Sequence, residues 1–108
     1  MAVQHLFNSS GEWIAFRREP DDRYLFSPDG TWIGWFPWDA SHAVDPSGAY
    51  LGEIVSNRLL RRHSPPWKGY PGYPGYPGYP GYPGYPGYAG YFRMPYGFRD
   101  VEMSKVKR

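Results

Sequence analysis

The sequence predicts an all-β protein, a small antiparallel meander of repeated hairpins closing into a barrel, followed by a Gly-Tyr-Pro low-complexity tail. Three observations carry this expectation. Segments 6–16, 25–35 and 43–53 superimpose, with Gly11, Gly30 and Gly48 recurring at spacings of 19 and 18, and self-similarity at a fixed period marks a repeat architecture. Each segment is a short apolar run, a glycine-containing turn and a second run led by Trp or Tyr, which is the pattern of a hairpin. Residues 1–56 contain no sustained apolar period of 3.6, so no helix is expected there.

In chain order, the first unit runs Leu6-Phe7-Asn8-Ser9-Ser10-Gly11-Glu12-Trp13-Ile14-Ala15-Phe16. The second, Leu25-Phe26-Ser27-Pro28-Asp29-Gly30-Thr31-Trp32-Ile33-Gly34-Trp35, states the turn most clearly. Its proline presets φ and its glycine supplies a positive φ. The third unit is Ala43-Val44-Asp45-Pro46-Ser47-Gly48-Ala49-Tyr50-Leu51-Gly52-Glu53, and a fourth start, Arg58-Leu59-Leu60, arrives on schedule without a following Gly-x-aromatic strand. Strict alternation along the second strands puts Trp13, Ala15, Trp32, Gly34, Phe36, Tyr50, Gly52 and Ile54 on one face. Ile14, Phe16, Ile33, Trp35, Leu51, Glu53 and Val55 fall on the other. A small residue two positions after each aromatic implies close backbone approach, or a ring lying over bare backbone.

Both faces are then largely apolar, whereas a solvated antiparallel sheet alternates more cleanly. Either the barrel fills its own core, or one Trp-bearing face serves as a contact surface. The candidate face is Trp13, Trp32, Trp35, Phe36 and Tyr50, with Gly11, Gly30 and Gly48 as turn glycines. Its expected partners are further copies of the chain, a lipid or a hydrophobic ligand.

These repeats, in particular Gly-x-Trp-Ile-Gly-Trp and Gly-x-Tyr-Leu-Gly-Glu, resemble the 4-fold beta flower family, a bacterial group of small domains. The resemblance covers Gln4 to about Arg62. It implies a shallow pseudo-four-fold barrel around an apolar axis, and it brings no established activity and no site residues. Pro65-Pro66-Trp67 stands where the regular strand of a fourth unit belongs. The tail echoes the Pro-rich C-terminal repeats of that family.

Composition divides the chain into residues 1–64 as the hairpin domain, 65–92 as a Pro/Gly/Tyr linker and 93–108 as a basic tail. A core of this size is small for independent stability. The chain has no cysteine, which excludes disulfides and thiolate metal sites. Its resource is 22 aromatic residues among 108, each able to bury roughly 150–250 Å². Residues 1–56 carry a net charge of −5 and residues 57–108 a net +7. The basic half therefore either lies against the acidic half or meets an anionic partner.

Six Gly-Tyr-Pro triplets begin at Gly69, followed by Gly87-Tyr88-Ala89 and Gly90-Tyr91-Phe92. Proline at every third position blocks helix and central strand, leaving extended polyproline II as the expected backbone. Three arrangements stay open: a semi-extended linker, a collagen-like trimer, or an adhesive segment packed on the barrel or on other copies. The bases and aromatics of Phe92 to Arg99, and Lys105-Val106-Lys107-Arg108, also suit single-stranded nucleic acid, the less favoured partner.

The chemistry of catalysis is absent from the pattern. His5, His42 and His63 have no metal-ligand spacing, and His42 occupies a repeat position filled elsewhere by Tyr24 and Arg58. Asp21-Asp22 belongs to a solvated turn, no phosphate loop opens a helix, and Ser9, Ser10 and Ser47 are turn residues without a base. No cofactor, no metal and no enzymatic activity are expected. The first residues lack the charge and apolar run of a signal peptide, and the longest apolar run, Trp32 to Trp38, is too short to span a bilayer. A reducing cytoplasm is the expected location, with the membrane surface as the second place.

Overall fold

A computed structural model describes residues 3–66 and 68–106. The indole of Trp67 and the last two bases, Lys107 and Arg108, lie outside the described residues. Among the described residues the fold is all-β apart from one 3₁₀ turn, Met103–Lys105. Its strands are β1 (Gln4–Phe7), β2 (Trp13–Arg17), β3 (Tyr24–Phe26), β4 (Trp32–Trp35), β5 (His42–Val44), β6 (Tyr50–Val55), β7 (Arg58–Arg62) and β8 (Phe98–Asp100). Each strand pairs with the next, antiparallel throughout. A parallel contact of β1 with β7 at Phe7 and Arg58 closes seven strands into a mixed barrel, with Phe7 N–H donating to the Asn57 carbonyl at 3.0 Å.

The three complete hairpins share one turn. The amides of Gly11, Gly30 and Gly48 donate to the carbonyls of Asn8, Ser27 and Asp45, three residues back, at 3.1, 2.8 and 2.9 Å. All three glycines have φ between +86 and +93, the left-handed region closed to most L side chains. A glycine of this kind following a tight turn brings a β-bulge with it, and the register slips accordingly. Leu6 pairs with Ala15 but Phe7 with Trp13, Leu25 with Gly34 but Phe26 with Trp32, and Ala43 with Gly52 but Val44 with Tyr50.

Ile14, Ile33 and Leu51 are the extra residues that these slips leave unpaired, and they reorganise the faces. Each second strand runs out-in-in-out instead of alternating. The inner core gathers Leu6, Ile14, Ala15, Leu25, Ile33, Phe36, Ala43, Leu51, Leu59 and Val101. The outer cluster gathers Phe16, Phe26, Trp32, Trp35 and Val44, with Trp13 and Tyr24 packed against it. The expected pairing of Ile33 with Trp35 on one face, and of Phe36 with Trp32 on the other, is thereby corrected. A one-residue slip transfers every later side chain of a strand to the opposite face.

The fourth unit is completed from the far end of the chain. β8 pairs with β7 through Leu60–Asp100, Arg61–Arg99 and Arg62–Phe98, occupying the part of that β7 edge that β1 leaves free. Val101 enters the inner core. The Asp100 carboxylate accepts the Ser9 N–H at 2.7 Å and the Ser9 hydroxyl at 2.6 Å, tying β8 to the first turn. Residues 63–97 are thus an insertion within the fourth hairpin. Val101 and β8 join the hairpin domain, which the sequence expectation ended at residue 64, from within the segment taken as a basic tail.

Candidate interaction surface

The outer cluster is built on the aromatic that opens each second strand. The Trp13 indole N–H donates to the Ala15 carbonyl at 2.8 Å, and that of Trp32 to the Gly34 carbonyl at 2.7 Å. Each ring therefore folds back along its own strand. The small residues two positions on have a further cause in the neighbouring strand. A Cβ at Gly34 would stand 2.5 Å from the Val44 carbonyl, and one at Gly52 would stand 2.7 Å from the Leu60 carbonyl.

Of the arrangements open to the triplets, the structure has the segment packed on the barrel, as a belt across the outer cluster. It runs against the order of the hairpins: Tyr70 covers Gly48, Tyr79 covers Gly30 and Tyr88 covers Gly11. Between these stations, Tyr73 and Tyr76 flank Trp32 with ring centroids at 5.7 and 5.8 Å. Tyr82 and Tyr85 flank Trp13 at 5.9 and 6.1 Å. Three triplets therefore serve one hairpin unit.

The belt backbone is extended, but every glycine from Gly69 to Gly90 has φ between +81 and +92. Polyproline II and the collagen helix need φ near −75°, so both are interrupted at each third residue. Among the described residues, chain neighbours aside, no atom lies within 4 Å of where a Cβ would stand on these glycines. Conformation, not space, demands glycine there.

Polar groups at one recurring repeat position hold the belt. His5 Nε2 donates to the Gly84 carbonyl at 3.2 Å, and the Tyr24 hydroxyl donates to the Pro74 carbonyl at 3.2 Å. Arg58 donates to the carbonyls of Asn8, Gly90 and Ala89 at 3.0, 2.8 and 3.2 Å. The belt's own donors appear where the triplet breaks. Ala89 N–H donates to the Gly11 carbonyl at 3.0 Å, and Phe92 N–H donates to the Ser9 carbonyl at 2.8 Å. Both stand where a further triplet would put proline, which has no N–H to give. Sequence reasoning missed His5, Tyr24, Arg58, Ala89 and Phe92. The signals were the uniformly polar repeat position and the two broken triplets.

The candidate face is covered accordingly. Trp32, Trp35 and Phe36 are buried, and Trp13 and Tyr50 are half-buried. Phe36 belongs to the inner core, beneath the Arg17 guanidinium at 4.5 Å. Trp35 lies under Arg23 at 5.4 Å, and its indole N–H has no hydrogen-bond partner among the described residues. The Tyr50 hydroxyl donates to Glu53 and accepts the Arg62 N–H, both at 3.1 Å, and burial pushes its pKa up to about 12.

What faces solvent is phenol. The eight belt tyrosines, Tyr70 to Tyr91, are 61–77% exposed and Tyr96 is fully exposed. An open groove of about 520 Å³ lies between belt and barrel, lined by Asp29, Gly30, Thr31, Trp32, Pro46, Ser47, Tyr76 and Tyr79.

Charged groups stand in structural pairs. Burial would raise the Asp22 carboxyl, but the Arg18 guanidinium at 2.7 Å and the Tyr24 and Arg18 amides outweigh it and hold it below the usual range. Asp21-Asp22 is thus a turn held by Arg18. The Ser41 and His42 amides lower Asp39 to about 2, and burial followed by the nearby Lys68 lowers His42. Among the described residues, no three His, Cys, Asp or Glu side chains gather to hold a metal, and no helix is long and apolar enough to cross a membrane.

Comparison with protein-family models, with curated proteins and with solved structures finds no match to any of them.

Proposed function

We propose that the chain is a non-enzymatic interaction module of the 4-fold beta flower type, acting in the cytoplasm, that presents a ring of tyrosines for association with further copies of itself. One observation carries this reading: eight tyrosines, 61–77% exposed, recur on a track docked to a closed barrel. Tyrosine offers large amphipathic contact area with only two side-chain torsions to immobilise. A repeated weak contact on one scaffold gains through effective concentration. The Trp-bearing face acts indirectly here, as the seat of the belt.

The groove beside Trp32, Tyr76 and Tyr79 favours a second reading, a hydrophobic ligand or lipid held between belt and barrel. Sedimentation velocity across a concentration series, repeated with vesicles and at raised salt, separates the two. Self-association is expected to grow with concentration in the absence of vesicles and to persist in salt, whereas lipid binding shows as co-sedimentation only when vesicles are added. A protein that stays monomeric at high concentration and ignores vesicles refutes both readings.

A further inference from the structure

Phenols are oxidised by one electron more readily than most side chains, and on this face they are the exposed ones. Trp32 and Trp35 are buried beneath the belt and Trp13 is half-buried. Cysteine, the usual competitor, is absent from the chain. The tyrosine rings are also positioned. Each flanking pair spends its inner contacts on the indole between its members, Tyr73 and Tyr76 on Trp32 and Tyr82 and Tyr85 on Trp13. Successive belt tyrosines are three extended residues apart, roughly 9–10 Å along the backbone. Coupling Tyr73 to Tyr76, or Tyr82 to Tyr85, within one molecule would draw those rings off the indole they share. Their outer edges are open to another molecule.

We infer that the belt is a site of oxidative tyrosine–tyrosine coupling between copies of this chain. The co-reactant is a peroxide used by a one-electron oxidant of the haem peroxidase class. Each of two phenols, on two copies, gives up one electron and its hydroxyl proton. The resulting radicals join by a carbon–carbon bond between ring positions ortho to oxygen. The two ring hydrogens at that bond move to the oxygens, restoring both phenols. One hydrogen peroxide takes up the two electrons and two protons and leaves as two waters. This chemistry goes beyond reversible association, since it needs encounters between copies and not a stable complex.

The full chain is treated at low concentration with a haem peroxidase and hydrogen peroxide. It is read by dityrosine fluorescence, by a denaturing gel and by mass mapping of the linked peptides. The comparison is a variant with all eight belt tyrosines changed to Phe, which keeps the rings that pack on Trp13, Trp32 and the turn glycines. The expected result is a ladder of denaturant-resistant multimers joined through residues 70–91 in the wild type, and loss of that ladder in the Phe variant. Mapping the wild-type linkages keeps the test valid should the Phe variant fold poorly. Dityrosine confined to single chains, linkages through Tyr24 or Tyr50, or no product where free tyrosine couples would each overturn the inference. Sedimentation without peroxide reports on association separately. A chain that is monomeric beforehand yet forms the ladder sustains the coupling while refuting association. A chain that associates but forms no linkage does the reverse.

Discussion

Replacing Ala89 with proline would make the seventh triplet match the six before it, so sequence periodicity and structure give opposite signs for Ala89→Pro. From the repeat alone the change is neutral or stabilising, by about 0.4–1 kcal/mol through a stiffer unfolded chain. In the structure Ala89 N–H donates to the Gly11 carbonyl at 3.0 Å. Proline deletes that donor, which costs about 0.5–1.5 kcal/mol. It also sets a ring carbon where the hydrogen pointed at the oxygen, so the belt must shift. Together these give an expected loss of about 1–3 kcal/mol, of the order seen when a buried hydrogen bond is broken. The Arg58 contacts and the Phe92 amide keep the rest of the belt end in place, so the damage is local. The assay is a thermal melt followed by circular dichroism, paired with quenching of Trp13 fluorescence, which should rise as Tyr85 loosens. Pro86→Ala, at an exposed belt position, is the control and should change little. An Ala89→Pro melt equal to or above wild type would refute the role of the Ala89 N–H in holding the belt end to the first turn.

Other perturbations test other parts of the fold. Gly30→Ala and Gly78→Ala both meet a positive φ, at +86 and +82, but only the first drives a methyl group into the Tyr79 ring; Gly30→Ala should cost more than the roughly 1–2 kcal/mol of the conformational strain alone, and equal melts would remove Tyr79 from that station. Val101→Ala should cost about 1.6 kcal/mol, two buried methylene equivalents, and a chain ending at residue 68, lacking β8 as well, should lose its cooperative melt; survival of that melt would show β8 to be dispensable. Ser56, the first residue of the two-residue β6–β7 loop, has φ +59, so Ser56→Gly should stabilise by up to about 1 kcal/mol, and a lowered melting temperature would contradict this. Asp22, Asp39 and His42 all have folded-state pKa values below their ordinary ones, so the folded chain binds fewer protons than the unfolded chain. Stability should therefore be full between about pH 6.5 and about pH 10, below the titration of Tyr50, and fall as pH drops towards about 2, first through His42 and then through the carboxylates, and a melt that holds level from about pH 6.5 down to that limit would disprove the linkage.

The repeat was legible because turn chemistry leaves fixed residues. Gly11, Gly30 and Gly48 declare the hairpins, and the barrel follows from their number. The faces were not legible, since the bulge at Ile14, Ile33 and Leu51 leaves the composition of each strand unchanged while sending every later side chain to the opposite side. Only the two-residue offset between Trp32 and Gly34 hinted that the rings fold back on their own backbone. β8 was hidden for a different reason. Three residues, Phe98-Arg99-Asp100, with a single apolar side chain carry no periodicity, and their partner strand lies some 40 residues away. The belt's docking was masked by its own regularity, because a perfect triplet has no amphipathic variation by which to read a buried side.

That regularity has its cause in the barrel. Each hairpin offers the belt the same features in the same order: a turn glycine to cover, then an aromatic to flank. An identical triplet can serve wherever those features recur. The dimensions agree with this. From Tyr70 at the third turn to Tyr88 at the first, 18 residues at about 3.1 Å each cover about 56 Å, which is half the circumference of a circle about 36 Å across. Two of four steps round a pseudo-four-fold barrel are also half a circle, and the molecule measures 35 × 33 × 25 Å. Nine belt residues for each hairpin unit of 18 or 19 are thus what it takes to follow the rim at one radius. The triplets stop repeating at Ala89 and Phe92, where the belt returns to the first turn and the backbone must supply N–H donors to be held there. Identity among the triplets follows the pseudo-symmetry of the surface beneath them, and the break in the triplets marks the place where the belt ends its circuit.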